Sequence, residues 1–124
     1  MCKRKNLPFR LPFIQSNSDH NGHIYYVILH KEINRKELLS RLENKNIQAT
    51  SHFEPLHLSP AGFQFCKKFG ELLTTEENAK QLVRLPIWHE MSDSAVRKVV
   101  DIMISTCEEV FPYLDQVKLK HEIV

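Results

Sequence analysis

Seven histidines in 124 residues are the chemical excess of this sequence. Two of them, His52 and His57, stand close together in Ser51-His52-Phe53-Glu54-Pro55-Leu56-His57. Imidazole both donates and accepts hydrogen bonds near neutral pH, so the pair reads as the lining of a polar ligand cleft. A hydrogen-bonded structural histidine is the alternative. Metal binding would need a third donor, such as His23 or His89. Trp88, beside His89, could stack on a ligand, yet a lone Trp just after a proline is expected as an anchor packed over the core. Tyr25 and Tyr26 alternate across a strand, so at most one of them faces a ligand.

Other chemistries are excluded by what the chain lacks. With only Gly22, Gly62 and Gly70, neither a dinucleotide GxGxxG nor a phosphate-binding P-loop can be assembled. There is no GxSxG elbow and no HExxH pair. Cys2, Cys66 and Cys107 are odd in number and share no CxxC spacing, against a secreted disulfide scaffold or a zinc knuckle and in favour of a reducing cytoplasm. A net charge of +2, from 17 basic and 15 acidic residues, gives no general reason to seek nucleic acid. Lys3, Arg4 and Lys5 read as a solvated basic end. No apolar run approaches the roughly 20 residues of a membrane span, and the start lacks a signal peptide's apolar stretch. The expectation is a cytoplasmic protein with no nucleic-acid or membrane partner.

Which elements must hold these residues follows from spacing. Residues 1–22 read as an extended arm or inter-domain junction, 23–112 as a small α/β domain, and 113–124 as a C-terminal tail. Ile24 to Leu29 suits a strand buried on both faces. Asn34 stands three before Glu37, a capping-box spacing, and Leu38, Leu39 and Leu42 follow as an apolar stripe, predicting a helix over about 34–45. A second strand is expected over Ile47 to Phe53, ended by Pro55. Residues 55–70 read as irregular, with room for one short helix. Thr74 and Glu77 repeat the capping-box spacing and predict a helix over 75–83, after which Arg84-Leu85-Pro86 is expected to turn the chain. Ser92 caps a last helix whose core face is Val96, Val99, Val100, Met103, Cys107 and Val110, with Cys107 a packed thiol. The fold class is α+β, a short sheet covered on one face by helices.

Three segments carry a resemblance. Asn21-Gly22-His23-Ile24-Tyr25-Tyr26, the stretch SHFEPLHLSPAG from Ser51 to Gly62, and TTEENAKQLVRLPIWHEMS from Thr74 to Ser92 occur in the order of motifs in the C-terminal part of the DegT/DnrJ/EryC1/StrS family of pyridoxal-phosphate sugar aminotransferases. The first resembles the family's Asn-Ala-His opening of a strand. The second resembles its His-Tyr-x-Pro-Leu-His segment followed by Pro-Ala-Gly, and the third its passage from a short helix through Arg-Leu-Pro to a final helix. The likeness runs from about Leu11 to Ile104.

The resemblance implies the smaller C-terminal domain of a fold type I aminotransferase, which closes over substrate while a large domain holds the cofactor. It implies that the full-length enzyme moves an amino group from glutamate, through pyridoxal phosphate, to the 4-keto carbon of a dTDP-4-keto-6-deoxy sugar. His52, Phe53, His57, His23 and Asn21 then become the residues expected near the sugar. Phe53 stands where the family often has Tyr, so it offers a packing face without a phenol. The family's Schiff-base lysine motif belongs to the large domain and has no counterpart here. Lys67 and Lys68 are read as surface charges, and no catalytic, cofactor-binding or metal-binding residue is assigned. The implied partners are the large cofactor-binding domain and a dTDP sugar. An uncovered docking face implies self-association or poor solubility. The second reading is a stand-alone, non-enzymatic binding or interaction module of the same fold.

Overall fold

A computed structural model of the chain describes residues 7–112; the expected tail, 113–124, lies outside the described residues. Its spine is β2 (Tyr25–Leu29), a β-branched and aromatic run. β4 (Leu82–Leu85) pairs with it antiparallel, Tyr25 opposite Leu85 and Ile28 opposite Leu82. β1 (Phe9–Arg10) joins the other edge of β2, inside the segment read as an arm, and β3 (Thr50–Ser51) joins β4. The sheet order is therefore β1-β2-β4-β3, antiparallel throughout.

On one face of that sheet lie α1 (Arg35–Asn44) and α4 (Asp93–Val110). The Asn34 side chain accepts the Glu37 N–H at 3.2 Å, and Ser92 Oγ accepts the Ala95 N–H at 3.3 Å, so both helices begin at the caps their sequences specify. Leu38 and Leu42 from α1 and Val99, Met103 and Cys107 from α4 close over Val27, Leu29, Val83 and Leu85. The α4 stripe is narrower than its periodicity predicts, because Val96 and Val100 stay exposed. Burial pushes the Cys107 thiol up to about 12, with Glu108 adding repulsion, so it is a packed, protonated side chain.

Three local expectations change. Residues 82–85 form the inner strand β4, where the spacing predicts a helix end and a turn. Pro86 does push Leu85 into extended geometry, but the alternation of buried Val83 and Leu85 with half-buried Leu82 and Arg84 lets that extended segment pair on both sides. Helix α3 (Leu73–Gln81) accordingly stops at Gln81, and Leu72 stands at its N-cap with no side-chain hydrogen bond, so the Thr74–Glu77 capping box does not form. β3 is only two residues long: Ile47 donates its N–H to the Leu42 carbonyl and closes the end of α1, with Asn46 at φ 60 turning the chain. Between β3 and α3 lie a 3₁₀ turn (Leu56–Leu58) and α2 (Pro60–Phe65). Among the described residues no helix is long and apolar enough to cross a membrane.

Candidate functional site

The segment after β3 is built by short-range bonds. Pro55 cannot extend the ladder, and the chain tightens into the 3₁₀ turn, with Leu58 N–H donating to the Pro55 carbonyl at 2.8 Å. Ser59 Oγ donates to the Leu56 carbonyl at 2.8 Å and accepts the Gly62 N–H at 3.0 Å, which caps α2 behind Pro60. That frame holds His57. Its Nε2 lies 3.1 Å from Glu76 Oε1 on α3, and the two side chains are 12% and 22% exposed. Lys68 Nζ is 3.6 Å from the same carboxylate and 3.6 Å from Glu71.

The hydrogen bond from His57, aided by the nearby Lys68 ammonium, holds the Glu76 carboxyl below the ordinary carboxylate range against the opposing effect of desolvation. With Nε2–H donated to Glu76, Nδ1 is the ring's remaining polar atom. A depressed native value means that ionised Glu76 stabilises the fold above the ordinary value of 4.5, and that this support fades as pH falls through the native value. Glu76→Gln should therefore lower the urea midpoint at neutral pH and lose that difference in acid, in melts between about pH 3 and 7. A gap independent of pH would rule out the ionised Glu76 carboxylate as its source.

His52 and Phe53 are exposed just beyond β3, their rings 5.3 Å apart and tilted by 59°. Phe53 lies against the Arg84 guanidinium, 5.7 Å from ring centre to Cζ. The other two expected site residues leave the sheet elsewhere. His23 precedes β2 at the Leu85 end of β4, whereas Ser51 already pairs with Val83 and sends His52 and Phe53 off the Leu82 end. Asn21 Oδ1 takes both the His23 backbone N–H and its ring nitrogen, and His23 stacks on His20 with centroids 6.3 Å apart. The antiparallel register thus separates the Asn21–His23 pair from the His52–His57 segment.

His23 instead lines a cleft of about 640 Å³ with His20, Tyr25, Trp88, Met91 and Val96. Trp88 is 56% exposed and borders this cleft, which corrects the expectation of a packed core anchor. The reason is local: Pro86 ends β4, and residues 87–91 loop out through Glu90 at φ 61 before α4 begins. Of the tyrosine pair, Tyr25 is the exposed one and lines the same cleft.

Among the described residues no three His, Cys, Asp or Glu side chains converge on a point that could hold a metal. The described lysines do not fit a Schiff-base role either. Lys31, Lys36, Lys67, Lys68, Lys80 and Lys98 are exposed, and Lys45 is held by Glu109 at 2.6 Å and by Thr106 at 3.0 Å. Two residues were not singled out by spacing. Glu76 reaches His57 from 19 residues away, a pairing no local pattern encodes. Arg84 had a signal, the polar position in the alternation Leu82-Val83-Arg84-Leu85.

Comparison with known proteins places this arrangement. A family profile described as the DegT/DnrJ/EryC1/StrS aminotransferase family matches residues 5–104. The dTDP-3-amino-3,4,6-trideoxy-alpha-D-glucose transaminase of Streptomyces venezuelae is 30% identical over 101 residues, 81% of this chain and 26% of that protein. The UDP-4-amino-4-deoxy-L-arabinose–oxoglutarate aminotransferase of Shewanella sediminis is 37% identical over 73 residues, 55% of this chain and 19% of that protein. Among solved structures, S. venezuelae DesV, crystallised with a ketimine intermediate, superposes with a TM-score of 0.71 at 30% identity, covering 83% of this chain and 28% of that one. The chain thus spans between about a fifth and just over a quarter of the length of these relatives.

Proposed function

The chain belongs to the DegT/DnrJ/EryC1/StrS aminotransferase family, and from that premise we propose that it is the small C-terminal domain of a sugar-nucleotide aminotransferase. The 23–112 domain closes one side of the substrate cleft, residues 1–22 form the junction to a larger domain, and that larger domain holds pyridoxal phosphate. In the complete enzyme the amino group of glutamate reaches the 4-keto carbon of a dTDP-4-keto-6-deoxy sugar. The proposed activity within the family is that of a dTDP-4-amino-4,6-dideoxygalactose transaminase, which the three motif segments resemble. His57, oriented by Glu76, offers Nδ1 to a sugar hydroxyl, while His52 and Phe53 border the sugar on the same side. Asn21 and His23 contribute from the other end of the sheet. The lysines among the described residues do not fit the cofactor, and the chain alone is expected not to transaminate.

One observation carries this reading. Phe13, Phe53, Phe63, Phe65 and Phe69 are each at least 75% exposed, and four of the five fall between β3 and α3. Aromatic rings left in water at that density mark a face that another body covers. The test compares the chain alone with the chain mixed with the large domain of a family member. Alone, it is expected to self-associate with rising concentration in sedimentation runs and to turn over no dTDP-4-keto-6-deoxyglucose with glutamate. With the large domain it is expected to form a discrete complex and restore turnover. A soluble monomer indifferent to the large domain would establish the stand-alone binding module instead. In the restored enzyme, an unchanged kcat/KM for His57→Ala would remove His57 from the sugar site.

A further inference from the structure

Central strand β4 carries a charged side chain that the transaminase reading does not use. Arg84 stands between its ladder neighbours, Tyr26 on β2 and Thr50 on β3. Directly opposed residues of antiparallel strands share a face, so a phenol, a guanidinium and a hydroxyl form one row across three strands. The row lies on the face opposite α1 and α4, since Val27, Val83 and Leu85 fill the face those helices cover. Arg84 is half-buried, and its Nε is buried with no hydrogen-bond partner among the described residues. Among the described residues the carboxylates in ion pairs are those of Glu37, Glu71, Glu76, Glu90 and Glu109, and none of these pairs involves Arg84.

A buried N–H without an acceptor is the costly state of a hydrogen-bonding group, and a guanidinium cannot relieve it by losing a proton. Beyond the enclosed Nε, the two Nη groups of the guanidinium present a planar fork that matches two oxygens of a carboxylate or a phosphate. Phe53 lies against the guanidinium, shielding it from water on one side. We propose that Tyr26, Arg84 and Thr50 form an oxyanion-binding row, with the carboxylate or phosphate group of a ligand seated on the Arg84 fork and the two hydroxyls as flanking donors. This goes beyond the transaminase reading and requires neither the cofactor nor the larger domain.

The test follows the Arg84 Nε–H resonance by nitrogen-edited NMR in the 124-residue chain. Inorganic phosphate and 2-oxoglutarate are titrated separately, with ionic strength held constant by chloride. A saturable shift of this resonance and of the backbone amide of Tyr26, the ladder neighbour of Arg84, is expected in the parent chain. Read at the Tyr26 amide, binding should weaken about tenfold or more in Arg84→Lys, which keeps the charge and loses the fork. Thr50→Val, at an exposed site, should weaken binding about threefold. Saturation by either ligand or both supports the row, and the pattern says whether phosphate or carboxylate is the preferred source. A shift that fails to saturate with both ligands overturns it, as does Arg84→Lys binding like the parent chain. Should Arg84→Lys not fold, the parent titration and Thr50→Val decide: a saturable shift weakened by Thr50→Val supports the row, and an unweakened one overturns it.

Discussion

Leu42→Ala is expected to cost about 2–5 kcal/mol of folding stability, the range for truncating a fully enclosed leucine. Leu42 has no exposed surface and meets the α4 side of the core from the last turn of α1. The loss has two parts, the transfer free energy of the deleted carbons and a cavity that the surroundings only partly fill. Collapse is restrained here because the Leu42 carbonyl accepts the N–H groups of both Lys45 and Ile47, so the backbone is tied on its C-terminal side. For a domain of this size each 1 kcal/mol lowers Tm by roughly 4–8 °C, so the variant should melt well below its parent. Val100→Ala on α4 is the control, because Val100 is exposed and should cost about 0.5 kcal/mol or less. Urea melts followed by circular dichroism measure both. If the two variants shifted equally, the packing of α1 on α4 would not be the source of stability described above.

The contrast also shows which parts of the fold local sequence can specify. α1 and α4 were legible because their caps, Asn34 and Ser92, and their apolar stripes lie within one stretch of chain. β4 was not, because Leu-Val-Arg-Leu before a proline is compatible with a turn, and only pairing with β2, more than fifty residues away in sequence, selects a strand. The candidate site divides the same way. The Ser51–Gly62 segment was recognisable as a unit, and its Ser59 cap, proline and glycine build it by local bonds. That His57 ends on Glu76, and that His23 leaves the opposite end of the sheet from His52, are consequences of tertiary arrangement and strand register. Neither is written in the spacing of the histidines.

Gly62→Ala is expected to dislodge the segment that holds His57. A methyl carbon built at Gly62 would stand 1.6 Å from the Leu56 carbonyl oxygen and 2.7 Å from its carbon. No rotamer change can relieve this, because the obstructing atoms are backbone and belong to the 3₁₀ turn that carries His57. Either the turn moves away or α2 does. Both routes break the Ser59 bonds that join them, to the Leu56 carbonyl and from the Gly62 N–H. Moving the turn also withdraws His57 from Glu76, so the variant should lose the pH-dependent support that this pair provides. The cost is expected at about 2–3 kcal/mol, the upper part of the range for overpacking, at a site with little room to yield. Ser59→Ala removes the same two side-chain bonds without a clash and should cost about 1 kcal/mol. The ordering of these variants is therefore diagnostic. A Gly62→Ala protein as stable as Ser59→Ala, with unchanged His57 ring chemical shifts, would mean that the close approach of Gly62 to Leu56 does not position the imidazole. A larger loss accompanied by altered His57 ring chemical shifts would tie the Pro-Ala-Gly start of α2 to the histidine that the proposed sugar site depends on.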